Sequence, residues 1–375
     1  MVTRRVKSRT NFFFYATVAM LGAVVCFAVD LARAEEQGEI EGVKPPSPIS
    51  PDEPISPEFS LRRAVDYLDN AALDWQQRRR CVTCHTNGLF LASRAEVGPQ
   101  APANDLVREY FRDYLERFAV EQESDEGKRK APIEGIVAAT ALLAISDVKT
   151  TGELGHMTRR AIDYIWTQQS EEDCWEEWQK CNWPPFEVDD HFGVTLVALA
   201  LGMVPDDYAQ TPAAQEGLRK LRHYLTEHPP ENTHQQAMVL LASTTCDGLL
   251  THDEQQDAIA RLFSLQKADG GWNVITLGNW KRSDGKEQDV DSSDGYATGF
   301  VTYVLRRSGV ARDDPRIQKA IDWLKANQRA SGRWFTRSPR RDGKHYISHA
   351  GTSYAVMALA ECGESLAPAQ ATEDR

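Results

Sequence analysis

Apolar and polar positions follow a helical period through most of this chain, and one arrangement of them recurs. Ala161-Ile-Asp-Tyr-Ile runs on to Gln169 and Trp175, Ala258-Ile-Ala-Arg-Leu to Gln266 and Trp272, and Ala320-Ile-Asp-Trp-Leu to Gln328 and Trp334. In each copy Ala to Gln is eight residues and Gln to Trp is six. Self-similarity at fixed offsets marks a repeat architecture. Ile317, Ile321 and Leu324 share one face at three- and four-residue steps, which predicts an amphipathic helix. Each such helix stops at a glycine turn, as in Lys267-Ala-Asp-Gly-Gly-Trp272. Ala64 to Leu68 and Gly217 to Leu225 are weaker relatives.

Between the copies lie helices of a second kind: Gly135 to Ala144, Gly193 to Gly202, Gln236 to Ser243, Gly295 to Leu305 and Gly351 to Ala360. They are rich in small residues and apolar nearly all round, so they predict helices surrounded by other helices. The amphipathic set then forms an outer ring and the apolar set an inner one. No strand pattern stands out, and the expected class is all-α.

LQKADGGWNV (265–274) and ANQRASGRWF (326–335) resemble the glutamine–tryptophan repeats of squalene–hopene cyclases and prenyltransferase-type proteins. The resemblance covers roughly residues 60–362. It implies an α/α toroid of about five outer–inner helix pairs, incomplete as a ring, in which Gln169, Gln266, Gln328 and Trp175, Trp272, Trp334 tie one helix end to the next turn. The catalytic signatures of those families are degraded or missing. The nearest approach to their DxDD acid is Asp289-Val-Asp291-Ser-Ser-Asp294, with Ser292 where the third aspartate should stand. Asp284, Asp289 and Asp291 read as solvated turn residues and Asp294 as a helix N-cap. The Asp-x-Cys pair of the zinc-dependent prenyltransferases does not occur.

Composition places the chain outside the cytoplasm. Residues 1–34 read as an export signal, with Arg4, Arg5, Lys7 and Arg9, an apolar run from Phe12 to Val29, and Ala32-Arg-Ala34 for cleavage. An uncleaved anchor is the alternative. Residues 35–57 are a proline-rich tether, residues 58–365 the toroid and residues 366–375 a tail. The chain carries −12; without the leader, which has five basic residues and one acidic, it carries −16. That excludes nucleic acid and anionic membrane surfaces as partners. The expected location is periplasmic or secreted, with no membrane span once the leader is removed.

RRRCVTCHTNG (78–88) carries the most specific chemistry. Haem c attachment takes two thiols one helical turn apart, Cys81 and Cys84, and an adjacent imidazole, His85, as iron ligand. Toroid proteins of some environmental bacteria look similar in carrying CxxCH ahead of the repeats, and residues 293–299 and 346–353 resemble their inner-helix starts. Competing readings are a zinc site with Cys174 and Cys181, a Cys81–Cys84 redox pair, and disulfides Cys174–Cys181 and Cys246–Cys362. A second iron ligand is not evident, His156 and Met157 being the next candidates along the chain.

A second constellation comes from the inner-helix starts, Asp190-His191, His234, Asp294 and His349, which a toroid brings to one mouth. Asp190, His191, Asp294 and His349 are the acid–base candidates. Trp166, Trp178, Trp183 and Trp280 are positioned to line the mouth. The expected function is therefore an exported, terpenoid cyclase-like toroid carrying covalent haem, with a redox partner. The alternatives are a haem-free lyase, isomerase or hydrolase acting on a lipid or glycan, and a non-catalytic binding module.

Overall fold

The computed structural model describes residues 40, 42–120, 132–170, 174–175, 178–179, 183–186 and 188–366. The export signal, Cys26, Cys181 and all but the first residue of the tail lie outside the described residues. From Val43 onward the chain forms one compact unit, and it is all-α: thirteen α-helices and no strand among the described residues.

Six helices bury a single stripe. They are α1 (Leu61–Arg79), α3 (Pro102–Leu115), α5 (His156–Thr167), α8 (Pro212–Glu227), α10 (His252–Ser264) and α12 (Pro315–Ala326). Six others are covered nearly all round: α2 (Leu89–Glu96), α4 (Ile133–Thr151), α6 (His191–Leu201), α9 (Thr233–Ala242), α11 (Gly295–Arg307) and α13 (Ile347–Glu361). The four-residue α7 (Asp206–Ala209) lies in the α6–α8 connection. Each inner helix packs on the next, α2 on α4, α4 on α6, α6 on α9, α9 on α11 and α11 on α13, and α13 returns to α2. The ring is therefore closed, and among the described residues it holds six pairs, one more than the five or so expected. At the α11–α13 contact a Cβ on Gly299 would stand 2.5 Å from the Ala355 backbone nitrogen, so only glycine permits this approach.

The repeat residues hold the ring together. The indole Nε1 of Trp175, Trp272 and Trp334 donates to the carbonyls of Ile165, Leu262 and Leu324 at 3.0, 2.7 and 2.7 Å. These carbonyls lie in the last turn of the preceding outer helix, where a tighter bond from the amide three residues on is all that the backbone itself supplies. The glutamines reach forward: Gln169 to the Gly217 carbonyl (3.3 Å) and Gln266 to the Arg316 carbonyl (2.8 Å), both on the next outer helix. Gln328 has no following repeat and takes the first helix instead. Its Oε1 accepts from Ser60 N–H (2.8 Å) and its Nε2 donates to the Ser60 carbonyl (2.9 Å).

The proline-rich stretch, expected as an extended tether, is also docked. From Ser47 on it lies on the last repeat, where Arg333, 1 % exposed, holds Glu53 at 2.6 Å and donates to Ser47 and Pro48. Prolines forgo their own N–H but keep their carbonyls, and a buried guanidinium collects them.

Candidate functional site at the toroid mouth

Every inner helix is reached from the C-terminal end of an outer one, so all six inner helices begin at the same end. Their first turns carry His85 (in the π-helical turn Cys84–Gly88 that leads into α2), Glu134, His191, His234, Asp294 as the N-cap of α11, and His349. The CVTCH string was not expected among these starts; the structure places it there. Its two thiols do not share a helical turn, because Thr83 is extended (φ −145°, ψ 143°) and the turn begins only at Cys84.

The mouth residues fall into two groups. In the first, His191 and His234 line one cavity of about 10 Å³, room for a single water, together with Trp280, Asn232 and Gln235. Both ring nitrogens of His191 are buried with no hydrogen-bond partner among the described residues. Its neighbour Asp190 accepts from the Tyr224 hydroxyl at 2.6 Å. His234 Nε2 lies 2.8 Å from the Tyr296 hydroxyl, and its ring stacks on Phe300 at 4.8 Å. Burial lowers the pKa of His191 to about 4 and of His234 to about 3, so both are neutral imidazoles.

The second group joins His85 to His349, 264 positions apart in the sequence. Tyr346 stacks on the His85 ring at 5.7 Å and 10°. Trp75 meets His85 edge-on at 5.0 Å and His349 at 6.4 Å. His349 Nδ1 lies 2.8 Å from the Tyr67 hydroxyl, and the two rings stack at 5.7 Å. Burial pulls His85 to about 4 and His349 to about 3.

Asp294 is held as a cap. Its carboxylate accepts from Val274 N–H (2.6 Å), Ala297 N–H (2.9 Å) and the Thr336 hydroxyl (3.1 Å). Burial raises its pKa to about 6 against these donors. Asp289 accepts from the backbone of Asp291 and Ser292, the turn expected of it. Beside Asp289 and Asp294 opens a cleft of about 240 Å³ bordered by Asn273, Trp323, Arg329 and Arg337. Of the four tryptophans in or beside loops, Trp280 faces the first histidine pair, Trp166 and Trp178 pack over Gly217 and Gly193, and Trp183 lies under Arg340.

The cysteines separate the readings of CVTCH. None of Cys81, Cys84, Cys174, Cys246 and Cys362 is in a disulfide. The Cys246–Cys362 pairing is therefore not formed; Cys246 lies against Arg222 of α8 instead. Cys174–Cys181 falls partly outside the described residues. No three His, Cys, Asp or Glu side chains among the described residues are grouped to hold a metal ion, which removes the zinc reading as far as they extend. Haem attachment asks for untied thiols, an imidazole nitrogen without a partner, and a bond fixing the other nitrogen. His85 Nδ1 lies 2.7 Å from the Thr86 hydroxyl, and Nε2 has no partner among the described residues. Cys81 is half-buried and Cys84 is 4 % exposed. The residue types suit a thioether-linked haem, but Thr83 is extended between the thiols and Trp75 and Tyr346 pack on the His85 ring, so haem would have to join the chain before this packing forms.

No family model matches the sequence. A squalene–hopene cyclase from Bradyrhizobium diazoefficiens is 29 % identical over 153 residues, 39 % of this chain and 21 % of that protein. The chain is an α/α toroid, similar over those 153 residues to a squalene–hopene cyclase. It spans about a fifth of the length of the curated relative it matches. Among solved structures, the toroid is similar to a glycosidase (TM-score 0.52, 12 % identity, 81 % of this chain and 98 % of that one). A type II terpene cyclase, MstE from Scytonema, superposes with TM-score 0.47 at 11 % identity over 80 % of this chain and 98 % of that one. At such identities the likeness to the glycosidase is one of fold alone. No helix among the described residues is long and apolar enough to cross a membrane.

Proposed function

We propose that this chain is an exported toroid that carries a covalent haem c on Cys81 and Cys84, with His85 as iron ligand, and that it serves electron transfer with a redox partner. The carrying observation is the state of His85 at the mouth: Nδ1 engaged by Thr86, Nε2 without a partner among the described residues, and cysteines outside any disulfide one and four residues before it. Bound there, haem supplies a one-electron couple. The chain's own part is to orient the imidazole through Thr86, to hold it neutral by burial, and to bed it on Tyr346 and Trp75. Neutral imidazole is the form that donates a lone pair to a metal.

The test is production of the full chain in a host that exports it and attaches haem, followed by a peroxidase stain on a denaturing gel. The wild-type band stains, and the double variant Cys81→Ser/Cys84→Ser does not. A wild-type band that never stains overturns the reading.

One observation favours a second reading, acid–base catalysis at the mouth. A buried imidazole with neither nitrogen partnered, as at His191, is rare in a settled core. Hydrolysis or elimination on a glycan panel that is abolished by His191→Ala would carry it; a panel with no turnover by the wild type sets it aside.

A further inference from the structure

We infer that the cleft beside the start of α11 binds a hydroxylated monocarboxylate the size of one sugar ring, with its carboxylate on Arg329. This site shares no residue with the CVTCH string and does not rest on the haem reading.

The cleft lies between the first turn of α11, the end of α12 with the segment that follows it, and the docked proline-rich stretch, which contributes Pro51. Its volume of about 240 Å³ is below the ~300 Å³ at which pockets for drug-sized ligands begin, so its occupant is a single small ring. Arg329 sets the charge of that occupant. Its guanidinium is half-buried, lies over Phe335 at 5.7 Å and donates to a neutral group, the Glu53 carbonyl, at 2.6 Å. The Glu53 carboxylate is taken by Arg333, and among the described residues Arg329 has no ion pair and its Nε no partner. Burial lowers its pKa from the ordinary arginine value. In a chain with 55 acidic residues against 43 basic ones, a part-buried arginine left without a carboxylate is unusual, because buried charges are ordinarily paired. Arg337, on the same cleft, shows the ordinary case: it spends Nε and Nη2 on Asp342 and Nη1 on the Glu287 carbonyl. A guanidinium fork matches a carboxylate through two parallel bonds.

The remaining lining selects for hydroxyls and against a second charge. Gln288 donates through Nε2 to the Trp280 and Pro339 carbonyls at 2.9 and 2.8 Å, which leaves Oε1 as an open acceptor. Asn327 donates through Nδ2 to the Trp323 carbonyl at 2.9 Å, which leaves Oδ1 likewise. Both acceptors call for donors, and hydroxyl groups supply them. Asp289 and Asp294 line the same cleft and oppose a second negative charge, so a carboxylate is favoured over a dianionic phosphate. Trp323 and Phe335 give the ring an apolar wall. One negative charge, several hydroxyls and an apolar face together describe a sugar acid.

The experiment is calorimetric titration of the purified full chain at neutral pH with glucuronate, glucose and glucose 6-phosphate. Wild type is expected to bind glucuronate about tenfold more tightly than either of the others, the scale of one hydrogen bond to a charged group. Arg329→Gln is expected to bring glucuronate down to the level of glucose, and Arg329→Lys, which keeps the charge, to retain part of the difference. The comparison of the three ligands on wild type decides by itself if the Arg329 variants fail to fold. A wild type that binds glucuronate no better than glucose, or binds none of the three, overturns the inference. So does glucose 6-phosphate binding as tightly as glucuronate, or a folded Arg329→Gln with undiminished glucuronate affinity. The haem stain is unaffected by any of these results, so the two readings fail separately.

Discussion

Replacing Gln328 by leucine tests how the ring is closed. The side chain is fully buried and makes three bonds, two across the seam, from Ser60 N–H at 2.8 Å and to the Ser60 carbonyl at 2.9 Å, and one within its own repeat, to the Gly332 carbonyl at 2.9 Å. Leucine fills nearly the same volume, so no cavity term enters, but it answers none of these groups. Ser60 is half-buried and recovers part of its loss from water, whereas the Gly332 carbonyl is sealed. At about 1 kcal/mol net for each lost bond, Gln328→Leu should destabilise the protein by about 3 kcal/mol. The control is Gln318→Leu on the exposed side of α12, expected within about 0.5 kcal/mol of wild type. Urea titrations give both values from the midpoint shift at constant m. Hydrogen exchange adds location: amides at the start of α1 should lose protection before those of α9. A Gln328→Leu midpoint equal to that of the control would refute the claim that this residue closes the ring.

Other predictions concern buried charge and pH. Asp147 is fully buried, pairs with Arg108 at 2.5 Å and also accepts from Gly155 N–H and the Thr158 hydroxyl. Asp147→Ala strands the Arg108 guanidinium and should cost about 3–5 kcal/mol in the same titration; a loss below about 1 kcal/mol would contradict it. His191 and His234 stay neutral when folded, at about 4 and 3, but take protons near the ordinary histidine value when unfolded. Stability therefore falls as pH drops below about 6.5, by up to about 1.4 kcal/mol per pH unit for each imidazole. Asp294, raised to about 6, acts in the opposite sense, since the folded state holds its proton more tightly; two imidazoles outweigh one carboxyl. The urea midpoint should be lower at pH 5 than at pH 7, and His234→Gln should flatten the slope. A midpoint unchanged by pH would contradict the assignment of neutral buried histidines.

The fold was legible where one residue type repeats with a fixed job. The Gln–Trp spacing survives because each tryptophan must reach a carbonyl ten residues back, and that reach fixes the offset. The sixth pair was hidden for a physical reason. Its inner helix α2 has only eight residues and buries Arg94 against Asp69 at 2.8 Å, so it does not read as apolar all round. The outer helix α3, which leads into α4, lacks the glutamine–tryptophan signature. At the mouth, the histidines at the helix starts were visible in the sequence, but their partners were not. His349 meets Tyr67 from 282 residues away, a distance only ring closure spans. Asp294 shows the converse: a cap predicted from local sequence alone, with its further ties to Val274 and Thr336 set by the tertiary fold.

The central claim, a haem bonded through Cys81 and Cys84, is met most directly by the pyridine haemochrome spectrum of the exported, purified chain. Thioether-linked haem gives an α-band set apart from that of haem with intact vinyl groups, and acid–acetone leaves it with the protein. That outcome is the expected one. A preparation that shows no α-band, or gives up its haem to acid–acetone, contradicts it.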